Sequence, residues 1–488
     1  MAAGGAKTTT RAWSGVALLF SVALGACSGT TGLKQINLTL PAVASHREIS
    51  TAAEREHARI LASYGGQYEN ARVQSLIEKT VERLVAASER PELHYQVTIL
   101  NSPAINAFAL PNGHLYITRG LVALANDEAE LSSVLSHEMG HVIARHAAIR
   151  EEQAKQAAVV AHVVTDVLDD PSAGALALAK SKLTLASFSR AQEFEADAIG
   201  VGISARAGFD PYGAARFLTD MQRNADLKAG KTGADPRAVE FLSSHPATPE
   251  RVKNVVANAR QYSGAGIGER DRAAYLEAID GMVYGEDSSE GFVRGRRFVH
   301  PKLGFAFTAP PGFTLDNTAQ AVLGLTQTGN EALRLDVVSV PAEQTLGAYL
   351  NSGWMEHVEP SSIEETTING FPAATATATG DSWSFRLYVI RYGSDAYRFI
   401  FAAKSRTPQA DRSFREAVQS FRRMSLKEAE AVRPLRLALV TVRTGDTQER
   451  LAQRMAVPER PLDTFRVING LSPNEPLLPG RKLKLVVE

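Results

Sequence analysis

At 488 residues the chain is long enough for roughly two to four domains with buried cores. Lysine plus arginine and aspartate plus glutamate are balanced at 53 each, so no net field draws the protein to nucleic acid, and no nucleic-acid partner is expected. Cys27 is the single cysteine, which excludes an intramolecular disulfide framework and a cysteine-rich metal site and leaves histidine and carboxylate as ligands for any metal.

The N-terminus carries basic Lys7 and Arg11, then an apolar run from Trp13 to Ala26 ending in Leu24-Gly25-Ala26-Cys27. The run is shorter than the about 20 residues that span a bilayer, and it reads as an export signal. Residues 1–26 resemble a bacterial lipoprotein signal, in which small residues precede a cysteine that is acylated and becomes the new N-terminus. The resemblance implies a lipid anchor on Cys27 and a periplasmic location, and Ser28 in place of an acidic residue implies sorting to the outer membrane. The alternative is an ordinary secretory signal with an incidental cysteine. Residues 27–45 read as a polar tether.

Residues 46–262 read as a helix-rich domain with one small sheet. Leu93 to Leu100 and His114 to Thr118 alternate apolar and polar residues, and Pro111-Asn112-Gly113 marks a turn between strands. A helix is predicted after Asn126-Asp127-Glu128, where Leu131, Val134, Leu135 and Val142 trace an apolar stripe. That helix carries His137-Glu138-Met139-Gly140-His141. Histidines four residues apart lie about 40° from each other around a helix, close enough to grip one ion, with the intervening glutamate beside them toward a bound water. His146 is about 140° from His141 on a continuous helix, which would keep it out of the same site.

A catalytic zinc takes three protein ligands and leaves a fourth position to water. Glu193 is the best candidate for the third, in a helix predicted from about Ser189 to Ala207. Asp197 shares its face at i+4 and can accept a hydrogen bond from a ligand histidine, while Glu195 lies on another face. His245 precedes Pro246 on a loop, ahead of Thr248-Pro249, which reads as a helix cap followed by a first-turn proline.

Three segments together resemble the HtpX and BepA family of zinc metallopeptidases: Asn106-Ala107-Phe108-Ala109-Leu110-Pro111-Asn112-Gly113 with Thr118-Arg119-Gly120-Leu121, the His137 to His141 motif, and Ser189-Arg190-Ala191-Gln192-Glu193-Phe194-Glu195-Ala196-Asp197. The match covers roughly residues 46–262 and implies a mainly helical, gluzincin-type peptidase domain with one Zn2+. It assigns His137, His141 and Glu193 as ligands and Glu138 as general base. The strand from Ala104 to Leu110 reads separately as a free edge to which an extended protein or peptide substrate adds, with Asn106 contacting its backbone, against the plain alternative of a core-lining strand and turn. In the BepA-like branch the histidine of His-Pro-x-Thr-Pro-x-Arg can fill the fourth metal position, which makes His245 a reversible ligand or oxyanion stabiliser against the plain alternative of a loop histidine.

Residues 263–292 are polar and glycine-bearing and read as a linker. Residues 293–425 hold strand-like runs such as Trp383 to Val389 and Tyr397 to Phe401, with a helical pattern near Ser413 to Phe421, and read as an α+β accessory domain. Residues 436–488, with Gly445-Asp446-Thr447 and Leu478-Pro479-Gly480-Arg481-Lys482-Leu483, resemble a LysM module, a β-α-α-β fold that binds peptidoglycan. The fold class is therefore multidomain α+β. The leading function is an envelope endopeptidase for misfolded or unassembled proteins. The competing one is a binding or assembly factor that grips peptidoglycan or protein partners through its C-terminal modules.

Overall fold

Short polar residues start the helices of the first half of the chain, and a small sheet interrupts them. The computed structural model describes residues 46–168, 188–232, 245, 248–264, 266–457 and 459–488. The expected signal, the tether and Cys27 lie outside the described residues. Helices α1 (His46–Ser63) and α2 (Ala71–Ala87) precede strands β1 (Gln96–Leu100), β2 (Ala107–Ala109) and β3 (His114–Thr118). β3 is central, parallel to β1 and antiparallel to β2, so β2 forms an edge. Next come α3 (Arg119–Leu124), α4 (Glu128–Ile143), α5 (His146–Leu168), α6 (Arg190–Arg206), α7 (Gly213–Thr232) and α8 (Pro249–Arg260). Asp127 caps α4, Ser189 caps α6 in a reciprocal box with Gln192, and Thr248 caps α8 ahead of Pro249. Each such cap contributes about 1 kcal/mol.

α4 departs from the single stripe expected of it, because every residue from Glu128 to His141 is buried. A helix enclosed on all sides has no solvated face. Two glycines permit the enclosure. A methyl group at Gly140 would come 2.8 Å from the Ala196 carbonyl oxygen, and one at Gly200 would come 2.8 Å from the His137 nitrogen. α4 and α6 thus cross with their backbones nearly touching, which sets the acidic face of α6 onto the histidine face of α4.

Residues 263–292 differ from the linker expected there. They contain α9 (Arg272–Ile279), with Tyr275, Leu276 and Ile279 fully buried, and β4 (Val283–Tyr284). The Tyr275 hydroxyl donates to the Val122 carbonyl at 2.6 Å. A helix this short needs only a few apolar residues to pack, too few to stand out against its polar and glycine-bearing flanks.

The accessory region is strand-rich, as expected. β5 (Phe292–Arg294), β6 (Arg297–His300) and β7 (Phe305–Thr308) begin a four-stranded sheet. A seven-stranded antiparallel sheet comprises β8 (Phe313–Asn317), β9 (Val322–Thr326), β10 (Glu331–Val338), β11 (Glu364–Ile368), β12 (Phe371–Thr379), β13 (Ser384–Tyr392) and β14 (Asp395–Ala403) in the order β11-β12-β13-β14-β10-β9-β8. α10 (Leu346–Leu350) covers one face, and α11 (Pro408–Gln419) packs Phe414 and Val418 over Phe307, Phe399 and Phe401 on the other. β15 (Arg422–Arg423) joins β7, and α12 (Leu426–Ala431) leads out of the region.

The last segment runs β16 (Leu435–Thr441), α13 (Gln448–Ala452), α14 (Pro461–Ile468) and β17 (Lys482–Val487). β16 pairs with both β17 and β4, and Leu437, Phe465, Leu483 and Val486 share one apolar core with Leu121 and Leu135. Lys484 is fully buried and donates to the carbonyls of Ala123, Leu124 and Ala125 at 2.9, 3.0 and 2.9 Å, satisfying the open C-terminal end of α3. Lys484→Met strips the partner from three buried acceptors, each costing roughly 1–3 kcal/mol when left unpaired. Its urea midpoint is expected to fall well below wild type, and an unchanged midpoint would remove Lys484 as a staple.

Candidate metal centre

α4 presents His137, Glu138 and His141, and α6 presents Glu193 and Asp197 across the glycine crossing. The Nε2 atoms of His137 and His141 lie 3.1 Å apart. Glu193 Oε1 is 3.5 Å from His141 Nε2, and Glu193 Oε2 is 3.7 Å from His137 Nε2. His245, ahead of α8, places Nδ1 3.4 Å from His137 Nε2 and 2.9 Å from Glu193 Oε1. All four residues are buried, with ligand atoms within 4.8 Å of one another, and could hold a metal ion. Tetrahedral zinc with bonds of about 2.0–2.1 Å requires donor-to-donor edges of about 3.3–3.4 Å. These spacings and this nitrogen and oxygen donor set fit zinc.

The electrostatics agree with that fit. Burial pushes the His137 and His141 imidazoles below their ordinary range, and burial with the Arg251 charge brings His245 down to about 3. All three are held neutral, the form that ligates metal. His137 Nδ1 is 2.9 Å from Asp197 Oδ1, which keeps its proton on Nδ1 and leaves Nε2 bare toward the cluster. Burial raises the Asp197 carboxyl, but the His137 hydrogen bond and the Arg251 guanidinium outweigh it and hold Asp197 at about 2. Burial and the adjacent Glu193 carboxylate push Glu138 well above its ordinary range, partly offset by Arg251 and by the Ala109 N–H. Glu138 Oε1 is buried with no hydrogen-bond partner, a costly state that a donor water at a cation would relieve.

Asn106 immediately precedes β2, the edge strand of the small sheet. Its side-chain amide donates to the Tyr64 hydroxyl at 2.8 Å, its N–H donates to Thr118 Oγ1, and its carbonyl accepts from the Thr118 N–H. The edge strand is β2 itself, and the Ala109 backbone acts to lower the Glu138 carboxyl.

Two residues of the centre escaped the sequence reading. Arg251 donates from Nε and Nη2 to Asp197, both at 2.8 Å, and its Nη1 sits 2.6 Å from Glu193 Oε2. Its place three residues after the Thr248 cap was the available signal, because that position turns back toward α6. His146 does reach the centre, with Nδ1 2.9 Å from His141 Nδ1. The 140° projection assumed an unbroken helix, whereas α4 ends at Ile143 and Arg145 takes φ 57°. An arginine gives no sequence sign of that left-handed turn, which costs an L-residue roughly 1–2 kcal/mol.

Paired histidines one helical turn apart, a glutamate between them and a carboxylate from a second helix are the donor pattern of zinc-dependent peptidases. Residues 69–259 match the model of peptidase family M48, and the chain carries a peptidase M48 domain. It is 30% identical over 179 residues to the mitochondrial metalloendopeptidase OMA1 of Schizosaccharomyces pombe, covering 37% of this chain and 51% of that protein. Identity is 31% over 218 residues with the OMA1 of Arabidopsis thaliana, 43% of this chain and 41% of that one. With the beta-barrel assembly-enhancing protease of Escherichia coli it is 29% over 188 residues, 37% of each. The chain thus spans about half the length of these relatives, or less.

Proposed function

We propose that this chain is a zinc-dependent endopeptidase of the bacterial cell envelope that cleaves misfolded or unassembled proteins. The observation that carries this reading is the set of four buried donors within 4.8 Å of one another with the Glu138 carboxylate beside them. The relative named for beta-barrel assembly supports envelope proteins as the substrate class. The lipoprotein-like signal supports a periplasmic chain tethered to the outer membrane through Cys27. The β-α-α-β order of residues 435–488 supports a LysM-like module that contacts peptidoglycan, while its shared core supports a bracing role as well.

In this reading His137, His141 and Glu193 hold the zinc. The ion supplies Lewis acidity, acidifying water and polarising the scissile carbonyl. Glu138 takes a proton from the attacking water at Oε1 and returns it to the leaving amine. Asp197 fixes the tautomer of His137, and the free side of β2 receives the substrate as an added strand. His245 fills the fourth corner, so the described arrangement is the closed one and His245 must leave before water or substrate enters.

The test is zinc content and casein cleavage of the soluble chain beginning at Ser28, with and without a chelator. One zinc per chain and cleavage lost on chelation are expected. His245→Ala is expected to cleave roughly tenfold faster, since it removes the cost of opening. Absence of zinc and of cleavage would move the weight to an envelope binding factor, and an unchanged rate in His245→Ala would end the self-inhibition.

A further inference from the structure

The turn at Arg145 folds His146 back against His141, and His146 is itself buried. Its Nδ1 lies 2.9 Å from His141 Nδ1, and its Nε2 lies 3.2 Å from Glu195 Oε2. Two imidazole nitrogens at that distance share one proton, and which ring carries it follows from the other end of each. His141 Nε2 faces the cluster, 3.1 Å from His137 Nε2. A nitrogen that ligates a cation must be bare, so neutral His141 carries its proton on Nδ1 and donates it to His146. His146 Nδ1 is then an acceptor, which puts the His146 proton on Nε2, directed at the Glu195 carboxylate. Each tautomer dictates the next.

Resting on the reading of the four donors as a zinc site, we propose that His146 and Glu195 are positioning residues of that site. Glu195 fixes the His146 tautomer, and His146 holds the His141 ring so that bare Nε2 points into the cluster. The two ligand histidines are therefore oriented by different means. His137 is held by buried Asp197, whose charge Arg251 neutralises. His141 is held by an imidazole whose carboxylate partner is 60% exposed. Phe188 closes the other side, with its ring centroid 4.0 Å from that of His141 and 6.1 Å from that of His146. His141 thereby keeps one orientation without a buried charge of its own beside it.

The experiment is zinc affinity of the intact chain by chelator competition, read beside the thermal midpoint of the zinc-free form. His146→Ala is expected to bind zinc about 10–100-fold more weakly. His146→Asn, whose Oδ1 can accept the same hydrogen bond from His141, recovers most of that loss. Glu195→Ala loses several-fold and Glu195→Gln, still an acceptor, stays near wild type, with zinc-free midpoints unchanged in both. Wild-type affinity in His146→Ala overturns the relay while leaving the zinc site standing; a wild-type chain that takes up no zinc overturns both. If His146→Ala is too unstable to purify, Glu195→Ala decides, since Glu195 is on the surface, and wild-type affinity there rejects the proposal.

Discussion

Replacing Glu138 by glutamine is expected to leave one zinc per chain and an intact fold while slowing casein cleavage by about 10²–10⁴-fold, the usual contribution of a positioned general base. The substitution is nearly isosteric and removes only the ability to take a proton. Glutamine also suits the closed site, where Glu138 is buried and pushed toward its neutral form by burial and by Glu193. Stability should therefore hold or rise slightly, so lost activity cannot be blamed on unfolding. Metal analysis, circular dichroism and initial cleavage rates decide the matter together. Cleavage by Glu138→Gln at the wild-type rate would transfer the proton chemistry to another group.

Arg251→Leu is expected to cost about 3–5 kcal/mol in the zinc-free protein, because it removes a buried guanidinium from between two buried carboxylates and leaves their charge less compensated. Asp197 loses a two-pronged guanidinium contact, and Glu193 loses its 2.6 Å neighbour. Bound zinc supplies positive charge beside Glu193, so the same substitution should cost less in the loaded protein. Denaturant midpoints of wild type and variant, each with and without zinc, give the four corners of a cycle. Equal losses in both forms would show that Arg251 and the metal do not share a carboxylate.

The chemistry of the centre was legible from local spacing, and the contacts that enclose it were not. His137, Glu138 and His141 follow from one helical turn, and Glu193 with Asp197 from another, since i to i+4 neighbours share a face wherever the helix sits. The sequence also marked Gly140 inside the first motif, but its reason for being glycine is Ala196, and Gly200 makes no sense without His137 across the interface. Close approach of two helices is a long-range fact. His146 was lost for the opposite reason, a local break at Arg145 that no glycine or asparagine announced. The packed helix within residues 263–292 was lost because its few buried residues were diluted by polar turns.

The hold of Lys484 on the carbonyls at the C-terminal end of α3 spans 361 positions of chain to Ala123. A contact of that separation carries the loop-closure entropy of the whole intervening length. The stretch from Ala123 to Ala125 sits immediately ahead of the helix that carries the zinc-binding histidines. A chain without its last strand therefore lacks the support behind that helix. Truncation ahead of β17 would thus be felt at the metal-binding helix through the backbone that precedes it.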